Sequence, residues 1–250
     1  MNDTRTARAA QKKIHELASK FIFETDYNYD DESVAARVAD RVAFVLGHVG
    51  NHGLDYLEFG CGPENMTKRL NEMGKRAASI DIDGVGKGRG DITKTRFKPS
   101  SFDVIYSFNA MEHVMAPKKA MNEMWRILRP GGQIFLHFGP LYNSMYGAHA
   151  YRSVPIPFIQ HLFTNEEIAV YTIVKDLPMP DFDTNGWSLA QWRGLFKDGR
   201  FEIMTYEEQR KDAQIIYDER LAEDMPTIRK VVPSDDELQV SAILVRLVKK

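Results

Sequence analysis

A single cysteine, Cys61, occurs in 250 residues, so no internal disulfide is available. Its place in a turn reads as a small filler rather than a nucleophile. No run of ~18 apolar residues is present, which removes a membrane-spanning helix from consideration, and Met1 opens a polar, charged stretch unlike a signal peptide. An excess of one charge is missing too: 33 Lys and Arg face 35 Asp and Glu, for a net charge of −2 and a pI near 6.4. A generic nucleic-acid binder carries a basic face that this balance does not supply. These absences predict a cytoplasmic protein in a reducing compartment, with neither nucleic acid nor membrane as a favoured partner. The chain length suits one α/β domain with an insertion, able to bury ~70 to 75% of its unfolded surface.

The run Asp55-Tyr56-Leu57-Glu58-Phe59-Gly60-Cys61-Gly62-Pro63-Glu64 reads as a buried strand ending in an acidic residue and a glycine turn that opens a helix. Gly60 and Gly62 allow tight or positive-φ backbone and leave no Cβ between chain and ligand. Open α/β sheets bind ligands at such a place, the carboxyl end of a strand. A dinucleotide fingerprint needs a third glycine three positions after the second, and Asn65 stands there instead, which disfavours hydride-transfer cofactors.

Four further segments follow in order. The strand Ala77-Ala78-Ser79-Ile80-Asp81 ends in a carboxylate about 20 residues downstream, where an acid can accept both hydroxyls of a ribose. Gly90-Asp91-Ile92 comes next, then the strand and continuation Ser101-Phe102-Asp103-Val104-Ile105-Tyr106-Ser107-Phe108-Asn109-Ala110-Met111-Glu112-His113-Val114, then Trp125-Arg126-Ile127-Leu128-Arg129-Pro130-Gly131-Gly132-Gln133-Ile134-Phe135-Leu136. Taken together, residues 54–138 resemble class I S-adenosylmethionine (SAM) dependent methyltransferases of the methyltransferase type 11 kind. Glu58, Gly60 and Gly62 match motif I, Glu112-His113-Val114 the "LEHV" continuation, and Leu128 to Gly132 the "LRPGG" turn; the tail Ser241 to Leu247 matches less specifically. The resemblance implies a Rossmann-like α/β fold with a seven-stranded sheet, helices on both faces and a lid insertion. It implies SAM as cofactor, held by Glu58, Gly60, Gly62, Asp81, Ile82, Asp91, Ile92 and Asn109. Asp83, two residues past Asp81, competes for the ribose, and the strand-end position favours Asp81.

Periodicity divides the chain into N-terminal helices over 1–50, a cofactor core over 51–138, an insertion over 139–187 and a C-terminal part of the core over 188–250. The first helix, about Thr4 to Phe23, places Ile14, Leu17 and Phe21 on one stripe; the second, Asp31 to Gly47, has Val34, Val38, Val42 and Val45 on a buried face. Met66, Leu70 and Met73 continue the pattern, with Gly74 as a C-terminal cap. Asp91 follows Asp81 by only ten positions, with Gly84, Gly86, Gly88 and Gly90 between them, so a loop replaces the usual intervening helix. The insertion holds Tyr142, Tyr146, Tyr151, Phe158, Phe163, Tyr171, Phe182 and Trp187. In the resembled family, insertions here build the acceptor pocket, and a segment after a strand's carboxyl end reads as a lid. Beyond it, Leu189 to Phe196 reads as a helix, Phe201 to Tyr206 as a strand and Glu237 to Val248 as the final strand.

Methyl transfer from a sulfonium is an in-line displacement in which the protein mainly orients the partners. A hydroxyl acceptor must lose its proton near the transition state, and histidine is the usual helper. His149 and His161 lie in the insertion, and His113 matches the family's recurring histidine. The catalytic candidates are His149, His113 and Tyr142; Tyr142 and Tyr146 can offer a ring face to a cation, worth roughly 0.5 to 2 kcal/mol. No local ligand spacing for a metal is found, since Glu112 and His113 merely adjoin. The sequence therefore reads as a methyltransferase acting on a small molecule at oxygen or nitrogen, possessed of an oligomeric state left open. The alternatives are a protein or RNA methyltransferase and a non-catalytic SAM-binding scaffold.

Overall fold

Strands in the middle of a parallel sheet are covered on both faces and need near-continuous apolar sequence. Tyr56-Leu57-Glu58-Phe59 and Val104-Ile105-Tyr106-Ser107 are buried without interruption. The computed structural model of the protein describes residues 2–22, 30–49, 54–62, 66–84, 88–197, 199–211 and 213–250. Its elements run α1 (Asn2–Ala18), α2 (Asp31–Val49), β1 (Asp55–Phe59), α3 (Met66–Glu72), β2 (Arg76–Ile80), β3 (Phe102–Phe108), α4 (Pro117–Ile127), β4 (Leu128–Phe138), α5 (Asn165–Val174), α6 (Leu189–Phe196), β5 (Phe201–Gln209), α7 (Met225–Val231), α8 (Asp235–Gln239) and β6 (Ala242–Lys249).

The strands form one sheet in the order β2-β1-β3-β4-β6-β5. β1 pairs in parallel with β2 and β3, β3 with β4, and β6 runs antiparallel to β4. The carboxyl ends of β1 to β4 therefore share one edge of the sheet, where ligands bind in this architecture. β6 alternates buried and half-buried positions along its length, the signature of a strand covered on one face.

Six strands are found among the described residues where seven were expected. The strand that should flank β2 is reduced to a single parallel bridge between Asp81 and Arg89. A parallel neighbour needs a crossover of about a dozen residues or more, and the stretch after Asp81 is too short to supply one. The last strand also starts later than Glu237, at Ala242, because Asp235, Asp236 and Glu237 occupy the first turn of α8. Acidic side chains there favour a helix start. β5 extends past Tyr206 to Gln209, and α6 occupies the expected span.

The chain forms two compact units. One comprises residues 27–139, 190–208 and 243–250 and contains most of the sheet. Its core packs Val42 and Val45 of α2 and Met66 and Leu70 of α3 onto Tyr56, Val104, Tyr106 and Phe135. Met73, expected to continue the buried face of α3, is exposed, while Gly74 takes φ 76° and ends the helix as expected. Trp192 of α6 is buried against Phe138, ring centroids 4.7 Å apart.

The other unit gathers residues 1–26, 140–189 and 209–242. Ile14 and Leu17 of α1 pack with Ile156, Ile168 and Tyr171, while Phe21 joins Phe158, Ile216, Leu221, Met225 and Ile228. The predicted stripe of α1 is thus buried, but α1 and α2 belong to different units, unlike their grouping from the sequence. α5 opens with a capping box in which Thr164 and Glu167 satisfy each other's backbone N–H groups. Lys13 Nζ meets the buried Asp224 carboxylate at 2.6 Å. Of the eight insertion aromatics, Phe158, Phe163 and Tyr171 are core residues of this unit, and the other five are half-buried.

Candidate cofactor site

The turn after β1 combines left-handed backbone with two hydrogen bonds. Gly60 (φ 64°) and Gly62 (φ 48°) take left-handed backbone, the Gly60 N–H donates to Ile80 O at 2.9 Å, and the Gly62 N–H donates to Asp81 Oδ2 at 3.1 Å. At Gly60 the steric demand comes from the protein: a Cβ would stand 2.2 Å from that of Ala110. At Gly62 a Cβ would meet no atom of the described residues within 4 Å.

Glu58 serves the turn from beneath. It is only 4% exposed, and its Oε2 accepts from Thr67 N at 2.9 Å and Thr67 Oγ1 at 2.8 Å, with Oε1 accepting a longer bond from Met66 N. The carboxylate thus satisfies N–H groups at the start of α3, where a negative charge also meets the helix dipole. Burial raises its pKa, and the Thr67 and Met66 donors oppose that rise. Cys61 is buried; burial first, then the Glu58 and Asp81 charges, push its thiol up to about 11. It stays protonated at neutral pH, in keeping with a filler.

Asp81 follows β2 directly, half-buried, with Oδ1 accepting from Asp83 N at 3.0 Å. The Asp83 side chain is exposed. Beside Asp81, the Ile82 side chain is 65% exposed, an apolar surface next to a carboxylate. Asp91 Oδ1 holds Thr93 N at 2.8 Å and Thr93 Oγ1 at 2.7 Å, and Ile92 is buried. At the end of β3, Asn109 takes φ 54° and its N–H donates to His137 O at 2.8 Å. His113 closes a short 3-10 helix over Met111–His113 and is half-buried.

Sequence reasoning gave Glu112 no positive role. It is 3% exposed; Oε1 accepts from Gly139 N at 3.2 Å and Oε2 has no hydrogen-bond partner among the described residues. Burial pushes its carboxyl up to about 8 against two opposing backbone N–H groups, its own and that of Gly139. The available signal was a carboxylate just beyond a buried strand, flanked by Met111 and His113.

His149 and Tyr142 belong to the other unit. His149 takes φ 54°, with Nε2 3.4 Å from Pro140 O. The Tyr142 ring lies edge-on to His161, centroids 5.8 Å apart. His161 Nε2 is buried without a partner, and burial lowers its pKa to about 4, leaving it neutral at pH 7.

The turn, strand-end carboxylate and apolar neighbour stand together at the carboxyl edge of a doubly wound sheet. Comparison with known proteins gives the class. The family described as "Methyltransferase domain" matches residues 57–136. A demethylmenaquinone methyltransferase of Paenarthrobacter aurescens is 32% identical over 182 residues, covering 70% of this chain and 67% of the relative. Another demethylmenaquinone methyltransferase, from Renibacterium salmoninarum, is 29% identical over 196 residues, covering 68% and 80%. Among solved structures, a protein of Pyrococcus horikoshii OT3 aligns with a TM-score of 0.52 at 14% identity, over 92% of this chain and 97% of that one. The chain belongs to the class I SAM-dependent methyltransferases. It is an enzyme whose cofactor is SAM. Among the described residues, no helix is long and apolar enough to cross a membrane.

Proposed function

We propose that the enzyme methylates a small molecule bearing an aromatic or quinol-type hydroxyl, at that oxygen or at a neighbouring ring carbon. The observation that carries this reading is the 32% identity to a demethylmenaquinone methyltransferase over most of the chain. A shorter match, 27% identical over 112 residues, is to a ubiquinone biosynthesis O-methyltransferase of Nitrosococcus oceani, spanning 48% of that protein. Both acceptor atoms follow from one chemistry, because loss of a phenolic proton makes the oxygen and the adjacent carbon nucleophilic. The oxygen-or-nitrogen expectation is thereby redirected toward oxygen or carbon.

The residues present fit the cofactor: a half-buried carboxylate, a glycine turn and an exposed apolar side chain stand side by side. In this reading Asp81 accepts the two ribose hydroxyls, Ile82 lies against the nucleoside, and Asp91 with Ile92 holds the adenine. Gly60, Gly62 and Asn109 shape the backbone around it, and Glu58 holds the turn. When bound, SAM supplies a methyl group on a positively charged sulfur. The chain's part is to orient the acceptor and take its proton. His113, His149 and Tyr142 are the candidates named from the sequence for contact with the acceptor.

A methylation screen with labelled SAM tests the reading: phenols, catechols and quinols against amines, carboxylates, peptide pools and RNA. Product from ring hydroxyl compounds alone is expected. Labelling confined to peptide or RNA would overturn the small-molecule assignment. With an acceptor in hand, His149→Ala should lower kcat by ~10² or more at unchanged SAM affinity if His149 is the base; full activity would remove it from that role.

A further inference from the structure

Glu112 is the buried titratable group that the site described above leaves unused. Its environment is built: 3% exposure, one oxygen fixed by the Gly139 N–H at 3.2 Å, the other with no hydrogen-bond partner among the described residues. An unpaired buried carboxyl oxygen is costly and marks either strain or a ligand.

Its place in the sheet says which end of the cofactor it meets. Successive residues of a strand direct their backbone groups to opposite sides. Ile80 O faces β1 through Gly60 N, so the Asp81 N–H and C=O, bonded to Gly88 O and Gly90 N, face the outer side of the sheet. The 88–92 stretch, with the adenine candidates Asp91 and Ile92, lies on that outer side. A nucleoside held in that reading, with its ribose at Asp81 and its base on the outer side, would have its sulfur end on the side of β1, toward β3 and β4. Glu112 stands there, following β3 and bonded to the residue that follows β4.

We propose that Glu112 is the proton acceptor of the transfer, ionising when the sulfonium binds and taking the acceptor's proton as the positive charge on sulfur is lost. This deepens the function proposed above and rests on it. The acceptor's electron pair forms the new bond to the methyl carbon, the C–S bond electrons stay on sulfur, and the acceptor's proton moves to Glu112 Oε2. Before the step the buried site holds one positive and one negative charge; afterwards both are neutral. No net charge is stranded in a poorly solvated place, where an unpaired ion is expensive.

The titratable groups around Glu112 within its unit are few. On its own turn, a ring nitrogen of His113 comes within 4.8 Å of the Glu112 carboxylate. β4 carries His137, whose ring lies 6.2 Å from that of Phe108, and α4 carries the exposed Lys118 and Lys119. Burial is the leading cause of the raised carboxyl pKa, and no charged neighbour contributes.

Proton release on binding tests the proposal without turnover. Calorimetry at pH 7 in buffers of different ionisation enthalpy counts protons released with SAM and with S-adenosylhomocysteine, which differ in charge only at sulfur. A carboxyl near 8 that ionises for the sulfonium releases about 0.9 proton more with SAM at pH 7, falling to about 0.1 at pH 9. Glu112→Gln should abolish the difference, and His113→Asn should leave it. Equal release with both ligands in the parent protein would overturn the proposal, as would a difference that survives Glu112→Gln or vanishes only in His113→Asn. Binding of neither ligand would instead strike the cofactor assignment and the proposal with it.

Discussion

Replacing Asp81 by alanine isolates the carboxylate at the end of β2. Its Oδ2 accepts from Gly62 N at 3.1 Å and its Oδ1 from Asp83 N at 3.0 Å. A carboxylate has about four acceptor positions, so each oxygen keeps one for a ribose hydroxyl. Two bonds to a charged acceptor are worth roughly 1.5 to 3 kcal/mol each. Asp81 is only half-buried, and water compensates part of the loss, which leaves ~2 to 4 kcal/mol, or about 30- to 900-fold in Kd. Calorimetric titration with S-adenosylhomocysteine measures this directly. Asp81→Asn keeps one acceptor oxygen, loses the charge and turns the other acceptor into a donor, and should fall between parent and alanine variant. Asp83→Ala should change affinity by no more than about threefold, since its exposed side chain leaves the site intact. Unchanged affinity in Asp81→Ala combined with a large loss in Asp83→Ala would refute the reasoning.

Glu58→Ala should destabilise the protein by ~2 to 4 kcal/mol, because Thr67 N and Met66 N lose a buried acceptor. Thermal melts should show a drop of roughly 5 to 15 °C; full stability with lost cofactor affinity would mean a direct contact instead. Gly60→Ala should cost ~2 to 4 kcal/mol in urea unfolding, from the 2.2 Å approach to Ala110 Cβ and the φ of 64°. Adding Ala110→Gly should recover all but ~1 to 2 kcal/mol, and a double variant no better than the single one would count against this cause. For His161, folding lowers the pKa to about 4 from 6.5. The unfolded chain binds more protons between those values, so this contribution is present above pH 6.5 and lost as pH falls toward 4. It amounts to up to about 3 kcal/mol, and His161→Gln should flatten that part of the curve in urea melts at pH 7 and 4.5; an unchanged slope would refute it.

The parts of this chain readable in advance are those set by neighbours in sequence. The glycine turn and the apolar stripe of α1 are local patterns, and α6 declares its limits locally as well. That six strands rather than seven occur among the described residues was half visible: the short glycine-rich stretch after Asp81 announced a lost helix, and the same shortness leaves little chain for a parallel strand. The start of β6 was misplaced because Leu238 and Val240 fit either period, and the acids of α8 decided it. Glu237 accepts from Leu189 N at 2.8 Å and Asn143 Nδ2 at 3.0 Å, long-range bonds that sequence does not display. The same limit applies at the site. The resemblance names Glu58, but Thr67 as its partner emerges only once β1 and α3 are assembled. The condition of Glu112 depends on Gly139, and no local pattern links the two.

The insertion after β4 is not a removable cassette. Its unit draws on three stretches, residues 1–26, 140–189 and 209–242, and the sheet-bearing unit likewise closes with 243–250. During synthesis both units close late: α1 waits for Ile156, Ile168 and Tyr171, and β4 waits for β6. Excising residues 139–187 would leave the apolar faces of α1 and of the 209–242 stretch without their partners, so a lidless enzyme would report on misfolding rather than on acceptor binding. Questions about the insertion belong to single side-chain changes, and the ribosome has to deliver the 209–250 stretch before either half is complete.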